Sequence, residues 1–195
     1  MYERLVVGIR LYHGTMDVYA RDISQNGIDL SKSKKYLDFG PGFYTTPILD
    51  FAKETAVFRT SRYNRFSKKH RGSAVVCFEV DESEWALLKV KRFPSASTEW
   101  QRFVIANRMT NTQRRERYQH NGDQRFDCVI GPTADGKAGS IDYLVDQVDK
   151  GFNALEDLNL RGILPSRKNK WGMQYSFHTL EAISTLRITE SLFFD

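Results

Sequence analysis

The sequence predicts an α+β fold in a single domain spanning residues 1–195. Short runs rich in β-branched and aromatic residues are separated by amphipathic helical segments, but the two do not alternate strictly, which argues against a doubly wound sheet. The 195 residues include 41% hydrophobic and 13% aromatic side chains, which suffices for a folded core. No predicted strand is followed by a Gly-x-Gly-x-x-Gly turn, so the dinucleotide-binding Rossmann class is excluded. We see no repeat or linker that divides the chain.

The first predicted elements are a strand, Ile9–Tyr12, and a helix, Val18–Asn26, which ends at the glycine stop Gly27. A proline in the first turn marks a second helix, which begins at Thr46-Pro47. Apolar side chains keep helical spacing from there to about Arg59, so one face of this helix is expected to pack against the core.

The stretch from Thr60 to Arg71 breaks that pattern and is predicted to be a loop. It contains no acidic residue, and two aromatic residues, Tyr63 and Phe66, stand among its basic ones. A solvated surface loop is one interpretation. The other is a basic patch with aromatics, which suits phosphates and unstacked bases. The basic side chains that carry this second interpretation are Arg62, Arg65, Lys68 and Lys69, flanked by Arg59 and Arg71.

In the middle of the chain, β-branched residues predict a core strand at Ala74–Val80 and a further strand at Trp85–Val90. Apolar spacing predicts a helix at Trp100–Arg108. The polar, arginine-rich stretch Thr110–Gln124 is expected to be a loop or an exposed helix. A strand at Phe126–Ile130 follows it.

Towards the C-terminus, helical spacing over Ile141–Leu158 predicts two helices that break at Gly151. A second basic loop, Arg161–Gly172, leads to a core strand, Gln174–Phe177. The predicted closing elements are a short helix, Leu180–Leu186, and a strand, Ile188–Phe194.

Composition narrows the class of protein. No apolar run approaches the roughly 20 residues that span a bilayer, and the start Met-Tyr-Glu-Arg-Leu lacks a signal-peptide pattern, so we expect a cytoplasmic protein without membrane contact. Cys77 and Cys128 each lie within an apolar run and are predicted to be buried thiols. No Cys/His spacing suggests a metal site. The net charge of +5 indicates an anionic partner.

Three polar motifs interrupt the predicted core. The first is Leu11-Tyr12-His13-Gly14-Thr15, and the second is Asp38-Phe39-Gly40-Pro41-Gly42-Phe43-Tyr44. Glycines in the second permit positive φ and let the backbone approach a ligand closely. The third is Met173-Gln174-Tyr175-Ser176-Phe177-His178-Thr179, preceded by Asp-Cys-Val-Ile-Gly-Pro-Thr-Ala-Asp.

The order of these motifs resembles the ADP-ribosyltransferase superfamily of the diphtheria-toxin and poly-ADP-ribose-polymerase type, and within it the bacterial DUF3990 group. The resemblance covers roughly Leu11 to Leu186. It implies an ADP-ribosyltransferase-like fold, with two packed, mostly antiparallel sheets around an NAD cleft and flanking helices. It also implies NAD as co-substrate, no metal, and a toxin of a phage-defence type of toxin–antitoxin system, whose antitoxin protein is a further partner.

ADP-ribosyl transfer breaks the bond between nicotinamide and C1 of its ribose. The leaving group is already cationic and needs no general acid, while positive charge develops on the sugar as an oxocarbenium ion. The protein therefore has to hold NAD bent, bind the nicotinamide and place a nucleophile behind C1.

The resemblance assigns catalytic roles to His13, Tyr44 and Gln174. His13 is expected to hydrogen-bond the adenosine ribose, and the ring of Tyr44 to stack on nicotinamide with Phe43 turned into the core. Gln174 stands where better-known families have a glutamate that binds the ribose 2′-OH. It accepts a hydrogen bond but carries no charge. We therefore expect Gln174→Glu to raise NAD hydrolysis.

Further NAD-binding residues follow from the same resemblance. The family's second aromatic wall falls on Thr55 here, and Phe51 or Phe58 is the alternative. Arg108 could meet the diphosphate of NAD or an acceptor phosphate. His178 is interpreted as structural. Asp127 or Asp135 is a candidate base for the acceptor, and capping of the following helix is the equal alternative for Asp135. The expected NAD-binding set is His13, Gly14, Thr15, Gly42, Tyr44, Phe51 and Arg108.

The acceptor is predicted to be a nucleic acid, with RNA favoured, because single strands present unstacked bases without the cost of unpairing. A protein acceptor is the runner-up. A catalytically degenerate module that binds NAD, ADP-ribose or RNA is the alternative from another functional class. The expected acceptor-binding residues are Arg62, Arg65, Lys68, Lys69, Arg114, Arg115 and Arg167.

Overall fold

The computed structural model describes residues 8–134, 140–157 and 172–195. The strands in these ranges are β1 (Ile9–Met16), β2 (Phe43–Thr45), β3 (Ser73–Val80), β4 (Val90–Arg92), β5 (Cys128–Pro132), β6 (Met173–Phe177) and β7 (Arg187–Phe194). The α helices are α1 (Asp17–Asn26), α2 (Leu49–Phe66), α3 (Thr98–Arg108), α4 (Thr112–Arg115), α5 (Ser140–Asp149) and α6 (Leu180–Ser184). Short 3₁₀ helices cover Leu30–Lys32, Glu82–Leu87 and Leu155–Asp157.

The strands form two sheets, which confirms the predicted α+β class. One sheet has the order β1-β3-β7 and is antiparallel throughout. The other has the order β2-β6-β5-β4, in which β5 and β6 are antiparallel and β4 and β5 are parallel. None of the helices in the described ranges is long and apolar enough to cross a membrane.

The chain divides into two compact units, each built from separate segments, and the single domain expected from the sequence stays a prediction. The first unit comprises the described part of Met1–Asp29, together with Tyr44–Leu88 and Leu180–Asp195. The second comprises Leu30–Phe43 and the described part of Lys89–Thr179. The boundary at Phe43 falls within β2.

The first unit is organised around β3, whose residues are buried except for the half-buried Glu79. β1 is longer than the predicted Ile9–Tyr12. It continues to Met16 because its residues pair in register with the apolar β3, His13 opposite Val76 and Gly14 opposite Val75. The ladder thus outweighs the weak strand preference of a histidine and a glycine.

Helix α2 packs against β1 and β3. It begins at Leu49 rather than at Thr46-Pro47, because Thr46 exchanges backbone hydrogen bonds with Tyr12 of β1, at 2.8 and 3.0 Å. It ends at Phe66 rather than near Arg59, so the predicted loop from Thr60 is helical in its first half. Arginine, tyrosine and phenylalanine are all compatible with a helix, and the absence of acids alone does not break one.

Residue 14 has to be a glycine because α2 crosses β1 there. A Cβ on Gly14 would lie 1.9 Å from the carbonyl oxygen of Ala52 in α2. In the last turn of α2, the side chain of Asn64 donates to the Arg71 carbonyl oxygen at 3.0 Å and accepts from the Arg71 N–H at 2.9 Å. These two hydrogen bonds hold together the connection between α2 and β3.

The second unit has its core at β5, where every residue is buried. Three fully buried phenylalanine rings lie beside it. Phe93 and Phe103 have ring centroids 5.1 Å apart, and Phe39 is 6.1 Å from each. The predicted strand at Trp85–Val90 is wrong: its first part is a 3₁₀ helix, and strand structure begins at Val90, where β4 meets β5.

Several local predictions are confirmed. Helix α1 ends at Gly27, which has φ +81°, and Gly151 with φ +78° breaks the chain soon after α5. Of the second helix predicted after Gly151, the described residues form only the 3₁₀ helix Leu155–Asp157. The thiols of Cys77 and Cys128 are free and buried. The strand predicted at Phe126–Ile130 lies two residues further on, as β5.

Candidate functional site

In the described part of each unit, one polar cluster contains predicted site residues. In the first unit, β1 is an edge strand of its sheet, and its bridge from Tyr12 to Thr46 brings the chain after β2 alongside it. As a result, His13 Nδ1 lies 2.7 Å from the backbone oxygen of Tyr44. Because a carbonyl only accepts hydrogen bonds, Nδ1 carries the proton, and Nε2 is the acceptor nitrogen of the neutral ring.

The His13 ring is held neutral. Its burial, and then the charge of Arg59, lower its pKa to about 4, against the opposing effect of the hydrogen bond to Tyr44. The imidazole is therefore uncharged at pH 7.

Arg59 also belongs to the polar cluster around His13, which the sequence did not predict. Its Nη1 donates to the carbonyl oxygen of Gly14 at 2.9 Å, and partial burial lowers its pKa. The sequence gives no signal for this contact. It predicts that α2 ends near Arg59, and only the packing of α2 on β1 brings the Arg59 side chain to Gly14. The carbonyl oxygen of Gly14, a residue of the expected NAD-binding set, therefore already accepts one hydrogen bond within the protein.

The remaining predicted residues of the first unit lie nearby in sequence but differ in exposure. Tyr44 is half-buried between the buried Phe43 and Thr45, as alternation along a strand requires. The Thr15 side chain is buried in β1. Phe51 and Phe58, the two candidates for the second aromatic wall, lie on one side of α2, where Phe51 is half-buried and Phe58 is 67% exposed.

The cluster of the second unit is centred on Asp38. Both Nε and Nη2 of Arg108 donate to Asp38 Oδ1, the former at 2.9 Å. Asp38 Oδ2 accepts from the Gln174 amide nitrogen at 3.1 Å and from the backbone N–H of Ala134 at 3.3 Å. Asp38 and Gln174 are each only 8% exposed. The loop before β2, the end of α3, the segment after β5 and strand β6 therefore meet at one carboxylate.

Contacts of Gly42 and His178 hold the loop before β2, which contains Asp38, in place. The Ser33 hydroxyl donates to the Gly42 carbonyl oxygen at 3.0 Å and accepts from the Gly42 N–H at 2.7 Å. A Cβ on Gly42 would lie 2.6 Å from His178 Nδ1, so a glycine is required there by space. Gly40 instead has the positive φ, +89°, that the sequence anticipated.

His178 is a buried structural residue, as its isolated position in the sequence suggested. Its Nδ1 lies 2.6 Å from the carbonyl oxygen of Pro41, and its Nε2 lies 2.9 Å from Ser176 Oγ. Burial lowers the pKa of His178 to about 4, although the bond to Pro41 and the charge of Asp127 act in the opposite direction.

Asp127, a predicted base for the acceptor, has its carboxylate bound by neighbours. Oδ2 accepts from the backbone N–H of Lys89 at 2.8 Å, and Oδ1 accepts from the Thr179 hydroxyl at 3.0 Å. Asp135, the other candidate, lies outside the described residues, as do Arg167 and the neighbouring Lys168 and Lys170.

The predicted acceptor-binding residues fall into two groups. Four are exposed in the first unit, on the end of α2 or just beyond it, beside the 83% exposed ring of Phe66: Arg62, Arg65, Lys68 and Lys69. Arg114 and Arg115 are half-buried in α4 of the second unit, where Arg114 lies against Gly151 and Arg115 against Gly122. The structure thus leaves the α2 group accessible and packs the α4 group against loops.

One cluster within the described ranges has the composition of a metal site: Glu116, His120 and Asp123, whose potential ligand atoms lie within 4.8 Å of one another. The guanidinium of Arg125 donates to Asp123 at 2.7 Å and to Glu116 at 3.3 Å. His120 Nδ1 accepts from the Gly122 N–H at 3.0 Å. Because Arg125 already supplies a cation to both carboxylates, we assign no metal here.

These features define an α+β protein with two mostly antiparallel sheets and a polar cluster in each unit. The family model described as "Protein of unknown function (DUF3990)" matches residues 9–188. The chain therefore belongs to the DUF3990 family, which confirms that part of the predicted resemblance. Neither the curated proteins nor the solved structures compared with the chain gave a match.

Proposed function

We propose that the protein is an NAD-dependent mono-ADP-ribosyltransferase. The observation that carries the proposal is the bond between His13 Nδ1 and the Tyr44 backbone, which joins residues 31 positions apart at 2.7 Å. These are the two residues to which the resemblance assigns ribose binding and nicotinamide stacking. Their contact places both residues within reach of one ligand, and this supports the proposal over a chance likeness of motifs.

The state of His13 fits the chemistry. Its ring is neutral at pH 7 because its pKa is lowered to about 4. A neutral ring with its proton on Nδ1 presents Nε2 as an acceptor for a ribose hydroxyl. It also avoids repelling the positively charged nicotinamide before the bond to C1 breaks. The half-buried ring of Tyr44 is the one that we propose stacks on nicotinamide.

The acceptor that we propose is a nucleic acid, with RNA favoured. The support is the outer face of α2, where exposed arginines lie beside the exposed rings of Phe58 and Phe66. Cations that contact phosphates and aromatic rings that stack on bases are the two elements of single-strand binding. A protein acceptor is the runner-up, because the same cations suit an acidic surface.

The biological role that we propose rests on the family resemblance. The protein acts in the cytoplasm as the toxin of a phage-defence toxin–antitoxin system, and an antitoxin protein neutralises it. The second candidate function is a catalytically degenerate module that binds NAD, ADP-ribose or RNA, and the observation in its favour is the uncharged Gln174.

The deciding experiment incubates the protein with NAD labelled in the adenylate part and with cell lysate, and then separates RNA, DNA and protein. We expect label in RNA and a large loss of label with His13→Ala. The matched control is His70→Ala, which changes an exposed histidine of the same unit. Label in protein bands alone supports the runner-up acceptor. Tight NAD binding without any labelled product supports the degenerate module.

A second experiment tests the α2 surface. Replacing Arg62, Arg65, Lys68 and Lys69 with serine removes up to four phosphate contacts, so the slope of log K for RNA against log salt should flatten by up to about three units, at roughly 0.7 for each contact. NAD affinity is expected to stay nearly the same. An unchanged salt slope would remove this surface from the RNA-binding site.

A further inference from the structure

We infer that Asp38 is a positioning residue that fixes the side-chain amide of Gln174 so that its oxygen, Oε1, is the group offered to the substrate. The inference rests on the proposed function, in which Gln174 binds the ribose 2′-OH. It explains how an amide can serve at a position where the resemblance implies a glutamate.

The donor side of the amide is already occupied. Gln174 Nε2 lies 3.1 Å from Asp38 Oδ2 and 3.5 Å from the carbonyl oxygen of Pro132. Both partners only accept hydrogen bonds, and the amide nitrogen only donates. If the amide were flipped, its oxygen would face two other oxygens. The hydrogen-bond network therefore selects one orientation, with Nε2 turned inward and Oε1 turned away from Asp38.

The carboxylate that makes this selection is itself held. Arg108 donates twice to Oδ1, and the backbone N–H of Ala134 donates to Oδ2. This division leaves Oδ2 facing Gln174 and Oδ1 facing the cation. Arg108 therefore acts on Gln174 through Asp38, and the fixed amide supplies the hydrogen-bond acceptor of a glutamate without its charge.

The arrangement revises the expectation for Gln174→Glu. A glutamate at position 174 would place a second carboxylate beside Oδ2 of Asp38, with Arg108 as the nearby cation. Two carboxylates at this distance do not both ionise readily, so they would share a proton. We now expect this variant to have lower activity than the wild type at neutral pH, and activity that falls as pH rises.

Asp38→Asn is the most direct test, because it replaces an acceptor that faces Gln174 with a donor. If its oxygen stays with Arg108, its amide nitrogen faces Gln174 Nε2, and two donors then oppose each other. Gln174 has to flip, which presents its nitrogen to the ribose hydroxyl. We expect kcat for NAD cleavage to fall by about tenfold to a hundredfold. The double variant Asp38→Asn/Gln174→Glu pairs the new donor with a carboxylate, so activity should recover and its pH dependence should disappear.

The experiment measures kcat, KM for NAD and the pH profile of these three variants beside the wild type. The control is Asp142→Asn, because Asp142 also approaches Arg108, at 3.8 Å, but is 83% exposed. We expect the control to match the wild type. Unchanged kcat in Asp38→Asn, or no recovery in a folded double variant, would overturn the inference.

A second measurement does not depend on activity. The side-chain N–H protons of Gln174, identified by their loss in Gln174→Glu, should exchange slowly with water in the wild type and in Asp142→Asn, and quickly in Asp38→Asn. Rapid exchange in the wild type contradicts the inference directly. Slow exchange in a protein that neither cleaves NAD nor transfers ADP-ribose would uphold the orientation of Gln174 and reject the proposed function.

Discussion

The polar clusters of the two units are held in different ways. In the first unit, His13 is fixed by the backbone of one neighbouring segment, through the oxygen of Tyr44. In the second unit, Gln174 is fixed by the buried carboxylate of Asp38, which Arg108 and Ala134 hold from two further segments. The first cluster thus depends on strand and helix packing, and the second on a charge pair. Different substitutions should therefore break them.

The largest effect is expected for Gly14→Ala in the first unit. The added Cβ would lie 1.9 Å from a backbone oxygen of α2, which cannot move without displacing the helix. We expect a loss of about 3 kcal/mol or more in the free energy of unfolding. The control is Gly72→Ala, where the nearest heavy atom is 3.7 Å away. Urea denaturation of both variants checks this, and equal stability would show that α2 adapts.

Asp38→Ala is the corresponding change in the second unit. It removes the partner of Arg108, whose side chain is 27% exposed, and an acceptor of Gln174. Leaving this partly buried cation with only the exposed carboxylate of Asp142, at 3.8 Å, should lower the free energy of unfolding by about 2–3 kcal/mol. Asp142→Ala, which changes an exposed carboxylate near the same guanidinium, should change stability by less than about 0.5 kcal/mol. If both variants unfold at the same urea concentration, the charge pair does not hold the cluster together.

Tyr44→Ala separates two contributions of one residue. The substitution keeps the backbone oxygen that binds His13 and removes the ring proposed to stack on nicotinamide. We expect a folded protein whose transfer rate falls about tenfold or more. The matched control, Tyr143→Ala, removes a tyrosine that is 63% exposed. Full transfer activity in a folded Tyr44→Ala variant would contradict the proposed stacking of Tyr44 on nicotinamide.

The last expected effect is gradual rather than abrupt, and it is a pH dependence shared by the two units. The pKa values of His13 and His178 are both lowered from 6.5 to about 4, so the unfolded chain binds more protons between these values. Stability is therefore fully present above pH 6.5 and falls as the pH drops towards 4, by at most about 1.4 kcal/mol per pH unit for each histidine. Urea titrations at pH 7, 6 and 5 measure the slope, and His178→Gln should roughly halve it. A constant stability over this range contradicts both pKa shifts.

The sequence determined the features that depend on local chemistry. Helix α1 with its stop at Gly27, the break at Gly151, strands β6 and β7 and the buried cysteines were all predicted, because each follows from residue type and spacing over a few positions. The motif order also led to the DUF3990 family. The basic stretch after Arg59 misled the prediction, since charge reports solvent exposure and an exposed segment can still be helical.

The tertiary structure alone decided which groups meet. The continuation of β1 through His13 and Gly14 depends on pairing with β3, and the bond from Arg59 to Gly14 depends on how α2 crosses that strand. Asp38 and Gln174 are 136 positions apart, and no local pattern marks them as partners. Such contacts form because a buried carboxylate requires a cation and donors wherever the folded chain can supply them.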